Sequence, residues 1–278
     1  MKYQRRQGFT VVELLTVLTV IAILVGILIP TVSFVRNTAR TAKQTTQLAT
    51  IDMAIMAFKG DHGYYPPSDW RVPNGYYCGA QKLAVALVGQ DLLGFHPDTS
   101  WAADDLGGVY NLGGMSEAQK SENLNKRTGP YLELTTANAF KLDSLFYNNT
   151  SPLDPNTFVL CDSFGAKNIT VGTKTVTVGT PILYFRANTS SKLMSSSQPW
   201  DGNIYSLNDN LPLIGFGSIK DGKTHPLGGS TVFYSNKTGG LIDPKITAVN
   251  WPYRPDSYIL ISAGVDGLYG TSDDITNF

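Results

Sequence analysis

Charge is scarce in this sequence, and so are the residues that most often do chemistry. Asp, Glu, Lys and Arg make up 16% of the 278 residues, and 22 basic residues are matched by 22 acidic ones. That balance leaves no basic surplus with which to hold nucleic acid. There are two cysteines, Cys78 and Cys161, too far apart for a Cys-x-x-Cys metal or redox motif. In an oxidising compartment they are able to form one disulfide, and otherwise they are two buried thiols. The three histidines, His62, His96 and His225, are scattered. His62 stands alone and reads as a solvated loop residue. No Gly-x-Ser-x-Gly, HExxH or P-loop is present, so the residues point away from an enzyme.

What the sequence has is one long apolar run near its start. From Phe9 to Ile29 the only charge is Glu13. A helix of that length spans about 31 Å at about 1.5 Å per residue, the thickness of a bilayer core. Lys2, Arg5 and Arg6 precede it, which predicts a start facing the cytoplasm and an end facing out. The run closes on Ile29-Pro30-Thr31-Val32-Ser33, a poor small-x-small cleavage site, so the apolar helix is expected to be retained. Glu13 costs a few kcal/mol inside a membrane unless it finds a partner. A cut between Gly8 and Phe9 would create an α-amine able to pair with the Glu13 of a neighbouring copy. Glu13 placed at the headgroup edge and solvated is the alternative.

Past Pro30 the pattern turns amphipathic. Leu48, Ile51, Ile55 and Phe58 recur at steps of three and four, one buried stripe, with Gln44, Thr45, Gln47 and Asp52 mostly off it. Pro30 is expected to kink or loosen the helix, and Lys59-Gly60 to end it. Asp61 to Ser68, with Gly63, Pro66 and Pro67, reads as a turn. A short helix is predicted over Gln81 to Val88, and helix-like composition runs from Met115 to Arg127. Residues 80–150 are otherwise polar and Gly-rich and read as an insertion, a place where binding function often sits. Asp104-Asp105 within it reads as a solvated turn.

From Phe158 the pattern is strand-like. Ile169 to Val171 and Thr175 to Val178 flank Gly172-Thr173-Lys174, a hairpin signal. Ile182 to Arg186, Thr231 to Tyr234 and Tyr258 to Ser262 are further strand candidates. Near the C-terminus, Ser262 to Ile275 gathers Asp266, Asp273 and Asp274 on a glycine-rich loop. Carboxylates and turned-in backbone carbonyls are the hard oxygen ligands Ca²⁺ takes. The spacing is not that of an EF-hand, and an exposed acidic turn is the other reading.

The basic leader with Gly8, Phe9, Thr10 and Glu13, and the apolar helix up to Pro30, resemble the class III signal of type IV pilins and type II secretion pseudopilins. The helix ending Phe58-Lys59-Gly60-Asp61-x-Gly63-x-Tyr65-Pro66 is similar to the major pseudopilin family at the same place. So is the loop Ser262-x-Gly264-x-Asp266-Gly267 leading to Asp274-Ile275, although its final part is shorter here. The resemblance implies cleavage after Gly8 by a prepilin peptidase and methylation of the Phe9 amine. It implies helical packing of many copies, with Glu13 beside the amine of the next. It also implies a calcium ion held by Asp266, the Leu268 carbonyl and one of Asp273 and Asp274.

The expected fold is α+β: a long N-terminal helix, half membrane and half amphipathic, packed on a C-terminal antiparallel sheet, as in pilins. The expected divisions are a leader at 1–8, a transmembrane or filament-core helix at 9–29, the amphipathic half at 30–59, and a globular extracytoplasmic domain at 60–278. Removal of the leader leaves 19 basic and 22 acidic residues, a mature charge of −3. The function implied is a non-enzymatic subunit of a type II secretion pseudopilus, anchored once in the bacterial inner membrane. It would work with copies of itself and the secretion or pilus assembly machinery. A true pilin, or an adhesion module displayed on a pilus through residues 80–150, is the alternative.

Overall fold

The computed structural model describes residues 8–70, 77–101, 108–147, 150–197, 202–236 and 240–278. Lys2, Arg5, Arg6, Asp104, Asp105 and Asp201 lie outside them. The chain divides into two compact units, one up to Ala42 and one from Lys43 to Phe278. Helix α1, Val11–His62, runs through both. It runs on through position 30 and past Gly60, so Lys59-Gly60 does not end it. Within its first part lies an 18-residue stretch of mean hydropathy 2.8, none of it buried by the chain's own fold.

In the second unit the stripe behaves as its spacing predicts. Leu48, Ile51, Ile55 and Phe58 are at most 2% exposed. Gln44 and Gln47, expected off the stripe, are buried on it. Gln44 Oε1 accepts from Ser163 N at 2.8 Å, and Gln47 Nε2 donates to Cys161 O at 2.9 Å. Two polar residues are tolerated there because each meets a backbone group of the segment that covers the helix. One turn on, Asp52 gathers Tyr258 OH (2.7 Å), Asn277 Nδ2 (2.8 Å) and Arg254 Nη1 (3.2 Å).

Helix α2, Gly79–Val88, is buried at all ten positions. It packs on strands β2 (Phe158–Leu160) and β5 (Leu183–Arg186), so the segment expected as an insertion opens with an element of the core. Gly79 is required there: a Cβ would lie 2.3 Å from Tyr184 O. After α2 come α3 (Glu117–Asn125), α4 (Leu134–Ala137), β1 (Ala139–Lys141), α5 (Leu142–Phe146) and β2 (Phe158–Leu160). Helix α3 starts with a reciprocal cap between Ser116 and Gln119. There follow β3 (Lys167–Val171), β4 (Lys174–Val178), β5 (Leu183–Arg186), α6 (Leu211–Gly215), α7 (Ser230–Ser235), β6 (Tyr258–Ser262) and β7 (Ile275–Thr276).

Among the described residues all strand pairs are antiparallel, in three small sheets: β1-β2, β3-β4 and β5-β6-β7. The β3-β4 hairpin turns on Gly172 at φ +62°, a sign of φ that a tight two-residue loop needs at its first position. Thr231 to Tyr234, expected as a strand, lies in helix α7 instead. The adjacent residues Phe233 and Tyr234 are both buried, which a strand with one face to solvent does not allow. Cys78 and Cys161, the possible disulfide, are free thiols buried in one apolar cluster. Burial pushes the Cys78 thiol up to about 12 and raises that of Cys161 as well, so both stay protonated and inert.

His62 is the last residue of α1 and not a loop residue. Its ring lies 4.5 Å from that of Phe58 and 4.9 Å from that of Phe95, and its Nε2 is 2.9 Å from Thr128 Oγ1. Burial lowers its pKa against the opposing charge of Asp61.

Asp52 ties α1 to the end of the chain, and its removal strands three donors. Asp52→Ala should destabilise the protein by about 1–3 kcal/mol, seen as a lower thermal midpoint. Asp52→Asn should recover part of the loss. Equal midpoints for the wild type and Asp52→Ala would show that the three bonds add nothing.

Candidate functional site

Two places carry the chemistry expected from the sequence, and each is built locally. At the start of α1, Thr10 is the N-cap and Glu13 stands three residues into the helix. Glu13 N donates to Thr10 Oγ1 at 3.2 Å, while Glu13 Oε2 accepts from Thr10 N and from Thr10 Oγ1, both at 2.8 Å. This is a reciprocal capping box. The carboxylate also sits at the positive end of the helix dipole. Thr10-x-x-Glu13 therefore has a function inside one chain before any second copy is present, a role that the sequence reading did not assign. Gly8 and Phe9 precede the helix, exposed, and a Cβ at Gly8 would meet nothing within 4 Å.

The C-terminal loop brings its acids together unequally. Gly264 turns at φ +64°, and a Cβ there would lie 2.2 Å from Asp273 O. That close approach lets Asp273 Oδ2 accept from Val265 N at 2.7 Å and from Asp266 N at 3.0 Å. Its Oδ1 accepts from Thr271 Oγ1 at 2.6 Å. Burial alone would raise the Asp273 pKa, but these donors outweigh it and hold it below the ordinary value. Asp266 Oδ1 accepts from Leu268 N at 2.7 Å, and the Leu268 carbonyl accepts from Thr271 Oγ1 at 3.1 Å.

Asp274 is different. Its Oδ2 accepts from Gly270 N at 2.7 Å, but its Oδ1 is buried with no hydrogen-bond partner. Burial, with Asp273 and Asp266 nearby, raises its pKa to about 7 in spite of the Gly270 donor. Asp274 lines a cavity of about 240 Å³ with Thr271, Ser272 and Tyr253. Among the described residues no three His, Cys, Asp or Glu side chains are grouped to hold a metal ion. A cation at this loop would thus rest on Asp274 and backbone carbonyls more than on three carboxylates. The donor set fits a hard cation at one point, the orphaned Asp274 oxygen.

His225 and Tyr269 pack behind the loop, rings 4.5 Å apart, with Tyr269 N donating to His225 Nδ1 at 3.1 Å. Burial lowers the His225 pKa to about 4, which keeps it neutral. A second buried carboxyl, Asp162, accepts from Thr180 N and Phe164 N at 3.1 Å each and from Ser262 Oγ at 3.2 Å. Burial raises its pKa to about 7. It holds the strand ends together and faces no ligand site described here.

Compared with known families, residues 3–29 match the model described as the prokaryotic N-terminal methylation motif. Neither curated proteins nor solved structures give a match for the chain. The match covers residues before α1 and the apolar part of α1, and does not extend into the second unit.

The capping box and charge pairing between copies make different demands on Glu13. Glu13→Gln keeps an acceptor for Thr10 but removes the charge. If only the cap matters, Glu13→Gln should assemble like the wild type, and Thr10→Val should lower helicity at the N-terminus. If the charge pairs with a neighbouring amine, Glu13→Gln should assemble far more slowly, as scored by filament counts in electron micrographs.

Proposed function

We propose that this chain, whose N-terminus carries a methylation signal of the type IV prepilin kind, is a structural subunit of a type II secretion pseudopilus. The observation that carries the proposal is the presence of that signal at 3–29 in one chain with a C-terminal Ser262-x-Gly264-x-Asp266-Gly267 loop. The signal implies a pilin-like precursor, processed by prepilin peptidase and assembled into filaments from a membrane. Cleavage falls between Gly8 and Phe9, and the new Phe9 amine is methylated. The apolar part of α1 anchors each copy in the inner membrane and then packs in the filament core, with the second unit extracytoplasmic.

Two readouts in the native host test this reading. Intact mass of the purified protein should lack residues 1–8 and carry one added methyl. Deletion of the protein should abolish export of secreted proteins while leaving surface pili intact. A mature chain that begins at Met1 would overturn the processing. Lost pili with normal export would make the chain a true pilin.

We further propose that the C-terminal loop binds calcium, with Asp274 as its principal side-chain ligand and Asp266 and the Leu268 carbonyl beside it. The ion would supply the partner that Asp274 Oδ1 lacks and tie the chain end to β6 and β7. Without an ion, the folded chain keeps a proton on Asp274 up to about pH 7, whereas the unfolded chain loses it near 3.8. This contribution to stability is full below pH 3.8 and is lost as pH rises to about 7. Asp162 and Asp209, also raised to about 7 by burial, have the same sign. A cation competes with the proton, so the rise in thermal midpoint with calcium over chelator should grow as pH passes 7. At saturation with calcium 100 times its dissociation constant it is worth about 2.7 kcal/mol. Asp274→Asn should remove most of the increment. Equal midpoints with calcium and chelator at about pH 8 would leave an acidic turn.

A further inference from the structure

Away from both places, the second unit has a cleft of about 610 Å³ between the turn after α2 and the β1-β2 pair. That volume lies within the roughly 300–1,000 Å³ of small-molecule sites. Its walls combine an aromatic ring, planar amides and one group of each charge.

Phe158, the first residue of β2, is only partly buried and contributes the ring. The Lys141 ammonium lies 5.9 Å from that ring's centroid and has no carboxylate partner among the described residues. Asn111 and Asn156 are exposed on the same cleft, and their side-chain amides make no hydrogen bond among the described residues.

Asp91 forms the opposite wall. Arg127, 2% exposed, holds Asp91 Oδ1 at 2.5 Å. The guanidinium is fixed in turn by Asn123 Oδ1, at 3.0 and 2.9 Å from Nε and Nη2, and lies 5.0 Å from the Tyr110 ring centroid. The Tyr110 hydroxyl is fixed by His96 N at 3.1 Å and Thr99 Oγ1 at 2.8 Å. This wall is therefore set before anything binds. Asp91 Oδ2 is buried and has no donor among the described residues. The Asp91 side chain is 22% exposed, on the wall of the cleft.

We propose that this cleft binds a pyranose sugar. A pyranose has an apolar C–H face for the Phe158 ring and a belt of hydroxyls, each both donor and acceptor. Two amides without a partner among the described residues, an ammonium and the part-exposed Asp91 carboxylate supply both halves of the pairing. An apolar ligand would leave the two amides and the ammonium unpaired, and a simple anion would use Lys141 and waste the ring. The inference stands on the second unit alone and does not depend on the kind of filament the chain builds.

The test is saturation-transfer NMR on the full chain in a phosphocholine detergent, which has no sugar headgroup to compete. The probes are glucose, galactose, N-acetylglucosamine and glucuronate at millimolar concentration. At least one should receive saturable transfer on its ring protons. Phe158→Leu, which keeps an apolar strand residue, and Asn156→Ala, at an exposed loop, should each weaken it by about tenfold. Both must melt like the wild type to count; Asn111→Ala, also exposed, replaces either that does not. No saturable transfer from any of the four probes would overturn the proposal. So would binding unchanged in the folded variants, or a signal displaced only by lysine amide.

Discussion

The apolar stripe Leu48, Ile51, Ile55 and Phe58 has to be covered, and most of the second unit is arranged to cover it. Full burial of such a side chain is worth about 1.5–3 kcal/mol, so four of them on one helix face dominate the local energetics. The cover cannot be wholly apolar, because the same face carries Gln44 and Gln47. Both are buried, and each meets a backbone group of the Cys161–Ser163 segment. The helix therefore fixes the position of that segment as well as burying itself. Beside it, Asp52 fixes Tyr258 on β6 and Asn277 near the chain end. Helix α1 and residues more than two hundred positions further along the chain are thus joined through one carboxylate.

Helix α2 transmits this order to the sheets. It is buried on all sides, so it needs partners on all sides, and it packs on β2 and β5. Even its lysine is consumed: Lys82 Nζ donates to Asp69 O and lies 3.6 Å from Asp69 Oδ1. Burial lowers the Lys82 pKa, against the opposing charges of Asp69 and Asp209. Such a pair adds little net stability relative to an apolar core, but breaking it leaves a buried charge. The turn after α2 then carries Asp91 to one wall of the cleft, and β2 carries Phe158 to another. The cleft is thus a consequence of how the core elements end.

The N-terminal unit follows a different logic. Its apolar surface is not covered by its own chain: Leu14, Leu15, Ile21 and Leu24 are all about half exposed or more. The physical requirement of such a surface is a bilayer or other helices. The Thr10–Glu13 cap lets that helix begin cleanly at a point where its own first N–H groups have few other acceptors. A carboxylate engaged by its own chain is also less costly to carry toward apolar surroundings. The cap therefore does not preclude a pairing of Glu13 between copies.

The sequence by itself determined what depends on near neighbours in the chain. The apolar run, the Thr10-x-x-Glu13 spacing, the buried stripe of α1, the Gly172 hairpin and the strands at 183–186 and 258–262 all follow from local pattern. Tertiary structure alone decided matters that depend on residues distant in sequence. Thr231 to Tyr234 has strand composition, but its two adjacent aromatics must both be buried, and a helix turn achieves that. Gln44 and Gln47 look polar enough for solvent until a backbone segment more than a hundred residues away supplies their partners. His62 joins an aromatic cluster with Phe95 and Tyr131, which no local signal announces. In the acidic loop three aspartates look equivalent in sequence. Only the fold satisfies Asp273 with backbone donors and leaves Asp274 with an oxygen unserved, because donors are allotted by where Gly264 lets the chain turn.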